Sequence, residues 1–186
     1  MPEGRTQGAV SGNLAGCGSI MHVDEQTPAA KGLTHVRADG SAAMVDVGAK
    51  QVTARQARAS GEVHLSAAAA AAITAGTVAK GDVLTVARIA GIQGAKRTPE
   101  LIPLCHPIGL TGIDVEAEVV GTVVRLTAAT RTHDRTGVEM EALTAVAVAG
   151  LAVIDMVKAI DPAAELTAIR VESKSGGATG AWERQG

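Results

Sequence analysis

The chain has 186 residues, a net charge of −2 at pH 7, one Trp and no Phe or Tyr. This length suits one domain, whereas the lack of basic tracts and aromatic stacking residues argues against nucleic-acid binding. Because Ala, Val, Ile and Leu each bury little surface, the core gains little from each side chain, and we expect a homo-oligomer.

The sequence also indicates where the protein resides. It has no apolar run long and charge-free enough for a membrane span, and its N-terminus lacks the basic end and apolar run of a signal peptide. The two cysteines, Cys17 and Cys105, permit at most one disulfide, and we expect both to be reduced. These features predict a cytoplasmic protein with no membrane partner.

The N-terminal part differs in composition from the rest. Residues 1–32 are rich in Gly, Ser, Thr, Ala and Pro without periodicity, which predicts a disordered extension. Residues 33–186 are expected to form a single domain. Its first segment, residues 33–50, alternates only weakly and is interpreted as an extended arm.

A strand and two helices are predicted next. Residues 61–66 are typical of a short strand, and Ser66 is expected to cap a helix that ends at Gly76. Asp82 is expected to cap a second helix over residues 83–97, which carries basic residues in its last turn as the helix dipole favours.

A proline-rich segment follows. Its three prolines are expected to keep residues 98–107 out of helix. For Cys105 and His106, three interpretations stay open: a rigid corner, a cysteine nucleophile with a histidine base, or a pocket wall whose imidazole donates hydrogen bonds or carries protons. A zinc site is disfavoured because no second Cys or His pair has ligand spacing.

The clearest pattern is a β-hairpin over residues 113–129. Apolar residues alternate with charged and polar ones in both halves, and Val120–Gly121 separates the halves. A two-residue turn at that point places Glu116 opposite Arg125.

A long helix is predicted over residues 138–160. Glu139 and Glu141 lie at its start, Asp155 and Lys158 lie near its end, and its uncharged middle indicates burial along its length. The helix dipole accounts for both glutamates and for Lys158. Asp155 is either one half of an ion pair with Lys158 or a general acid or base beside a lysine.

The distance between the two acidic ends of this helix limits where a site can form. Glu141 and Asp155 are fourteen residues apart, which is about 21 Å along a helix. One small-molecule site within one chain therefore cannot include both. If both are functional, the site lies between subunits, in agreement with the oligomer that the composition predicts.

The last predicted strand spans residues 166–174 and precedes a glycine-rich tail. The order strand, two helices, strand, strand, helix, strand predicts an α+β, ferredoxin-like split βαβ fold, with an antiparallel sheet and helices on one face. Lys80, in the turn before the second helix, and Lys174, before Ser-Gly-Gly, are each either ordinary surface lysines or phosphate-binding cations.

Several stretches together resemble the cyclic pyranopterin monophosphate synthase family of molybdenum cofactor biosynthesis. They are LTHV, MVDV, KGDVLTVARIAGIQGAKRT, LIPLCHP, TGVEMEALTAVAVA, DMVKA and KSGG. The resemblance implies a ferredoxin-like hexamer, a trimer of dimers, with its active site at a subunit interface. It implies conversion of (8S)-3′,8-cyclo-7,8-dihydroguanosine 5′-triphosphate to cyclic pyranopterin monophosphate with release of diphosphate.

The resemblance also implies roles for individual residues. Asp155 is similar to the catalytic acid or base of the family, with Lys158 beside it and Lys80 as an essential cation, and His106 is a further candidate for proton transfer. The implied substrate-contacting residues are Leu104, Cys105, His106, Glu139, Met140, Glu141 and Lys174. No cofactor or protein-bound metal is expected, and any Mg²⁺ is expected on the substrate phosphates.

Two alternatives to this enzyme stay open at this stage. One is a non-catalytic binding or assembly protein on the same fold, and the other is a cysteine-dependent hydrolase that uses Cys105.

Overall fold

The structure is a computed structural model that describes residues 40–178 and 180–185. These residues belong to one compact unit, Thr34–Gly186. The predicted extension, residues 1–32, and the domain boundary after it lie outside the described residues and stay predictions.

Five strands and four helices make up the described part of the chain. The strands are β1 (Thr53–His64), β2 (Leu110–Val120), β3 (Val123–Asp134), β4 (Glu165–Ser175) and β5 (Trp182–Glu183). The helices are α1 (Ala67–Thr74), α2 (Val83–Lys96), α3 (Thr98–Leu101) and α4 (Glu139–Val157). Apart from α3 and β5, this is the predicted order of elements.

The strands form one antiparallel sheet in the order β2-β3-β1-β4-β5. Its first four strands have the split βαβ arrangement, with β1 between β3 and β4. Helix α4 packs on β1, β3 and β4, while α2 packs on β2 and on α4. The predicted α+β, ferredoxin-like fold is therefore confirmed.

Small residues let the two long helices approach closely. A Cβ added to Gly91 of α2 would lie 2.9 Å from the carbonyl oxygen of Ala145, and one added to Gly94 would lie 2.8 Å from Cβ of Val148. Close contact of backbones replaces the volume that aromatic side chains supply in other cores. This packing explains how a chain without Phe or Tyr fills its interior.

Among the described helices, α4 alone is long and apolar enough to cross a membrane by length and composition. It is a core helix in this fold. Val146, Ala149 and Val153 on α4 are completely buried, and they pack in the cluster that also contains Val63 of β1 and Leu126 of β3.

Both predicted helix caps are confirmed. The side chain of Ser66 accepts a hydrogen bond from the backbone of Ala69, and that of Asp82 accepts one from the backbone of Thr85. Local side-chain chemistry is sufficient to place the starts of α1 and α2 because the capping oxygen bonds only to the first turn.

Two local predictions are wrong, and one short strand was not predicted. Strand β1 begins at Thr53, well before the predicted residue 61, because it pairs with both β3 and β4. Residues Thr98–Leu101 form one helical turn with a proline in its first positions, where the missing N–H has no intrahelical partner to lose. The tail contributes strand β5, which pairs with the edge of β4.

The hairpin register also differs from the prediction. Val120 pairs with Val123, so that Glu118 rather than Glu116 lies opposite Arg125. The turn therefore moves forward along the chain to Gly121, which adopts a φ of 62° that favours glycine.

Residues 40–52, called the arm below, contain no helix and only a single bridge residue at position 42. A turn orders the end of the arm, since the side chain of Asp46 accepts from the backbone of Gly48 at 2.8 Å and Lys50 N donates to Val47 O at 3.0 Å. The predicted extended arm is therefore interrupted by this turn before the chain enters β1.

Candidate active site

Asp155 joins two lysines at the C-terminal end of α4. Lys158 Nζ lies 2.8 Å from Asp155 Oδ1, which confirms the predicted contact between these residues. Lys80 Nζ donates to Asp155 Oδ2 at 2.8 Å and to the Asp155 carbonyl oxygen at 2.6 Å. Lys158 first, and then Lys80, hold the pKa of Asp155 down to about 2. The carboxylate is therefore ionised at neutral pH.

The turn before α2 brings Lys80 to Asp155. Gly81 has a φ of 103°, which side chains disfavour, and Asp82 then caps α2. Because α2 packs against α4, Lys80, which precedes this turn, reaches the C-terminal end of α4. The three ionic side chains of this cluster stay substantially exposed.

A second group of predicted residues lines a cavity of about 360 Å³ at the N-terminal end of α4. The proline-rich segment and the start of α4 supply walls, and the arm supplies another. The predicted residues on the cavity wall are Leu104, Cys105, His106, Glu139, Met140 and Glu141. Residues that sequence reasoning missed there are Val45, Val47, Lys50, Thr136 and Gly137; the MVDV stretch was the available signal for the first two.

The arm orients His106. Its Nε2 lies 2.7 Å from the carbonyl oxygen of Val45. Because a carbonyl oxygen only accepts, Nε2 carries the proton, and in the neutral imidazole Nδ1 is left as an acceptor. The arm thus fixes the tautomer of the histidine that the sequence singled out.

Glu141 is a buried acid with an unsatisfied oxygen. The residue is 3% exposed, and its Oε2 has no hydrogen-bond partner within the described part of the chain. Burial raises the pKa of Glu141 to about 7, and the charge of Glu139 adds to the rise. A substantial fraction of this carboxyl therefore holds a proton at neutral pH.

Cys105 lacks the surroundings of a nucleophile. Burial raises the pKa of its thiol, and the charge of Glu141 raises it further. Reactive cysteines instead have a lowered pKa, beside cations or helix N-termini. The cysteine-nucleophile interpretation is disfavoured on this ground.

Lys174, at the end of β4, belongs with the second group. Its Nζ donates to Glu139 Oε1 at 2.8 Å, and both side chains are partly buried. A Cβ on Gly137 would overlap the carboxylate of Glu139, so the absence of a side chain at position 137 allows this contact.

The predicted residues therefore form two groups at opposite ends of α4. One contains Lys80, Asp155 and Lys158, and the other contains the cavity and Lys174. About 21 Å of helix separates Glu141 from Asp155. Among the residues that the structure describes, no three His, Cys, Asp or Glu side chains are placed to hold a metal ion.

Both groups lie within residues 44–177, which match the model of the MoaC family. The chain belongs to the MoaC family. It is 55% identical over 157 residues to the cyclic pyranopterin monophosphate synthase of Streptomyces avermitilis, covering 84% of this chain and 92% of that protein. It is 52% identical over 157 residues to the synthase of Pelotomaculum thermopropionicum, covering 83% of this chain and 92% of that protein.

A further relative in the MoaC family is the cyclic pyranopterin monophosphate synthase 2 of Mycobacterium bovis. It is 51% identical to this chain over 153 residues, which are 82% of this chain and 92% of that protein. The family resemblance that the sequence motifs indicated is confirmed.

Proposed function

We propose that this chain is a cyclic pyranopterin monophosphate synthase of molybdenum cofactor biosynthesis. It converts (8S)-3′,8-cyclo-7,8-dihydroguanosine 5′-triphosphate to cyclic pyranopterin monophosphate and releases diphosphate. The relatives that carry this name align with more than four fifths of the chain. The observation that supports the proposal most is the ionised Asp155 held between Lys80 and Lys158.

Ring opening and pterin formation require proton transfers, which these residues can supply. Asp155 is ionised and can accept a proton, and a polyanionic substrate that attracts Lys80 or Lys158 raises the pKa of Asp155 so that the proton can be returned. His106 holds a proton at Nε2 beside Val45 O, and in the neutral imidazole Nδ1 is available to accept one. Glu141, with a pKa of about 7, is a buried acid that holds a proton near neutrality.

Formation of the cyclic phosphate requires positioning and positive charge. A sugar hydroxyl attacks the innermost phosphorus, a new P–O bond forms, and the bond to the departing diphosphate breaks. No protein nucleophile is required, and cations neutralise the charge that builds up on the leaving group. Lysines at both ends of α4 are suited to this task, and any Mg²⁺ belongs to the substrate phosphates.

We further propose that the active site forms between subunits of a homohexamer built as a trimer of dimers. Each end of α4 holds only part of the predicted residues, and the two parts are too far apart to act on one small molecule within one chain. Exposed apolar side chains on α2 and α4 favour subunit contacts; they include Val86, Ile89 and Leu151. A cytoplasmic location, with no nucleic-acid partner, completes the proposal.

Mass spectrometry of the product tests this function. Incubation of the purified chain with the cyclised GTP derivative should yield cyclic pyranopterin monophosphate and an equimolar amount of diphosphate. Binding of the substrate without its consumption would instead favour the non-catalytic alternative.

Lys80→Ala tests the site assignment. This variant should abolish the product while light scattering shows an unchanged assembly, because the side chain of Lys80 is exposed. Full activity in Lys80→Ala would refute the role of this lysine.

A further inference from the structure

We propose that the polyphosphate end of the substrate binds Lys50, Arg55 and Arg135, which we call the arm cation cluster. These residues lie beside the cavity at the N-terminal end of α4, and neither the family motifs nor the sequence patterns assign them. The proposal rests on the proposed function, whose substrate carries a triphosphate.

The lysines of the candidate active site are largely neutralised within the chain. Lys80 and Lys158 share the carboxylate of Asp155, and Lys174 is paired with Glu139. The group of Lys80, Asp155 and Lys158 keeps a net charge of +1. The pair of Lys174 and Glu139 has no net charge. A triphosphate carries several negative charges and therefore needs further cations.

The arm cation cluster is held by backbone carbonyls rather than by carboxylates. Arg55 donates from Nε to Asp134 O and from Nη2 to Arg135 O, both at 3.0 Å. Arg135 donates from Nε to Lys50 O at 3.1 Å. Within the described residues, none of the three cations forms an ion pair.

The carboxylate next to the cluster along the chain is that of Asp134. Asp134 accepts a hydrogen bond from the backbone N–H of Arg135 at 2.7 Å. Counted against Asp134 alone, the three cations keep an excess of two positive charges. This excess is larger than the excess at Lys80, Asp155 and Lys158. Glu139 and Glu141 line the same cavity as Lys50, but Glu139 is already paired with Lys174.

The position of the cluster suits an elongated anion that extends out of the cavity. Lys50 lines this cavity and also a neighbouring one of about 540 Å³, which Arg55 and Thr53 line as well. Thr53 Oγ1 is buried and has no hydrogen-bond partner among the described residues. A hydroxyl left unpaired next to unneutralised cations is suited to a phosphate oxygen, since burying it unpaired is costly.

Gly177 keeps one side of Arg55 open. It has a φ of 73°, and a Cβ at this position would lie 2.5 Å from Arg55 Nη1. Arg55 Nη1 makes no hydrogen bond in the described structure. The Lys-Ser-Gly-Gly stretch thus supplies Lys174 and, because Gly177 has no side chain, leaves Nη1 of Arg55 uncovered.

Two substitutions and one control test the cluster. Arg55→Gln and Lys50→Gln each remove one cation, and Arg58→Gln removes the same charge from β1 on the opposite face of the sheet. Among the residues that the structure describes, the side chain of Lys50 has no hydrogen-bond or ion-pair partner, so its loss does not threaten folding. Inorganic triphosphate, measured by titration calorimetry, is the probe.

Arg55→Gln should weaken binding of inorganic triphosphate about tenfold, and the more exposed Lys50→Gln about threefold. The KM for the cyclised GTP derivative should rise by similar factors, with a smaller change in kcat, because ground-state binding is lost. Arg58→Gln should stay within about twofold of the wild-type values.

Unchanged affinity for inorganic triphosphate and unchanged KM in both Arg55→Gln and Lys50→Gln would overturn the proposal that the arm cation cluster binds the polyphosphate. This holds even when the wild-type chain forms product. Absence of wild-type binding to inorganic triphosphate together with an unchanged KM would overturn it as well. Selective loss of triphosphate binding in the two variants, in a chain that forms no product, would support the cluster and contradict the proposed function.

Discussion

Glu141 and Asp155 lie on one helix in opposite electrostatic surroundings. Burial raises the pKa of Glu141 to about 7, whereas two ammonium groups hold the pKa of Asp155 near 2. At neutral pH one carboxyl retains protons and the other is ionised, which is the division that acid and base catalysis uses. About 21 Å of helix separates them, so two subunits must meet before both can act on one substrate.

The proposed site between subunits predicts complementation between inactive variants. Co-expressed Asp155→Asn and Glu141→Gln chains should form mixed oligomers in which about a quarter of the sites are intact, because each subunit supplies the end that its neighbour lacks. Activity of doubly tagged, co-purified oligomers is the measurement. Mixed oligomers of Asp155→Asn and Lys80→Ala serve as the control, since both changes affect the same end. Equal inactivity of the two mixtures would contradict a site between subunits.

Lys80 should control the titration of Asp155. The wild-type carboxyl should titrate near 2, and Lys80→Ala should move its pKa toward the ordinary value of 3.8, because one of its two ammonium partners is gone. Carbon-13 NMR of the Asp155 carboxyl measures both midpoints. Lys96→Ala, which removes an exposed lysine of α2, should leave the midpoint unchanged. Identical titration in Lys80→Ala would show that the contact has no electrostatic effect.

Glu141 should make stability fall as pH rises. The folded state binds its proton more tightly than the unfolded state, so the wild type loses stability from pH 4.5 to about 7 and keeps that loss above 7. Glu141→Gln carries no such charge. Relative to wild type, its free energy of unfolding should therefore rise by up to about 3 kcal/mol between pH 4.5 and about 7. Urea unfolding at a series of pH values measures the difference.

An exposed acid provides the control for this measurement. Glu118→Gln on β2 removes a carboxylate of the same type from a solvent-exposed position and is measured in parallel. A difference between Glu141→Gln and wild type that does not change with pH would mean that Glu141 titrates at its ordinary pKa.

Cys105 should react slowly with alkylating reagents. In a Cys17→Ser background, iodoacetamide should modify Cys105 with a pH dependence whose midpoint lies above the ordinary 9.0, because burial and Glu141 raise the thiol pKa. Glu141→Gln should lower this midpoint by removing the nearby charge. Mass spectrometry follows the reaction. A midpoint below 7 would restore the hypothesis of a cysteine-dependent hydrolase.

The hairpin shows one limit of prediction from sequence. Its two strands were recognised from their alternation, but the predicted register was wrong, since Glu118 takes the place opposite Arg125 that was expected for Glu116. A shift of two residues leaves every side chain on the same face of the sheet. The alternating pattern is identical before and after such a shift, so only the turn at Gly121 decides between the registers.

The sequence alone determined the α+β fold, the caps at Ser66 and Asp82, and the separation of the two ends of α4. These features depend on periodicity and on contacts within one turn. Only the tertiary structure decided that Lys80 reaches Asp155 across 75 residues of chain, that Glu141 is buried, and that Arg55 is held by carbonyls rather than by a carboxylate. Burial and charge pairing depend on which distant segments pack together, and local patterns do not specify those contacts.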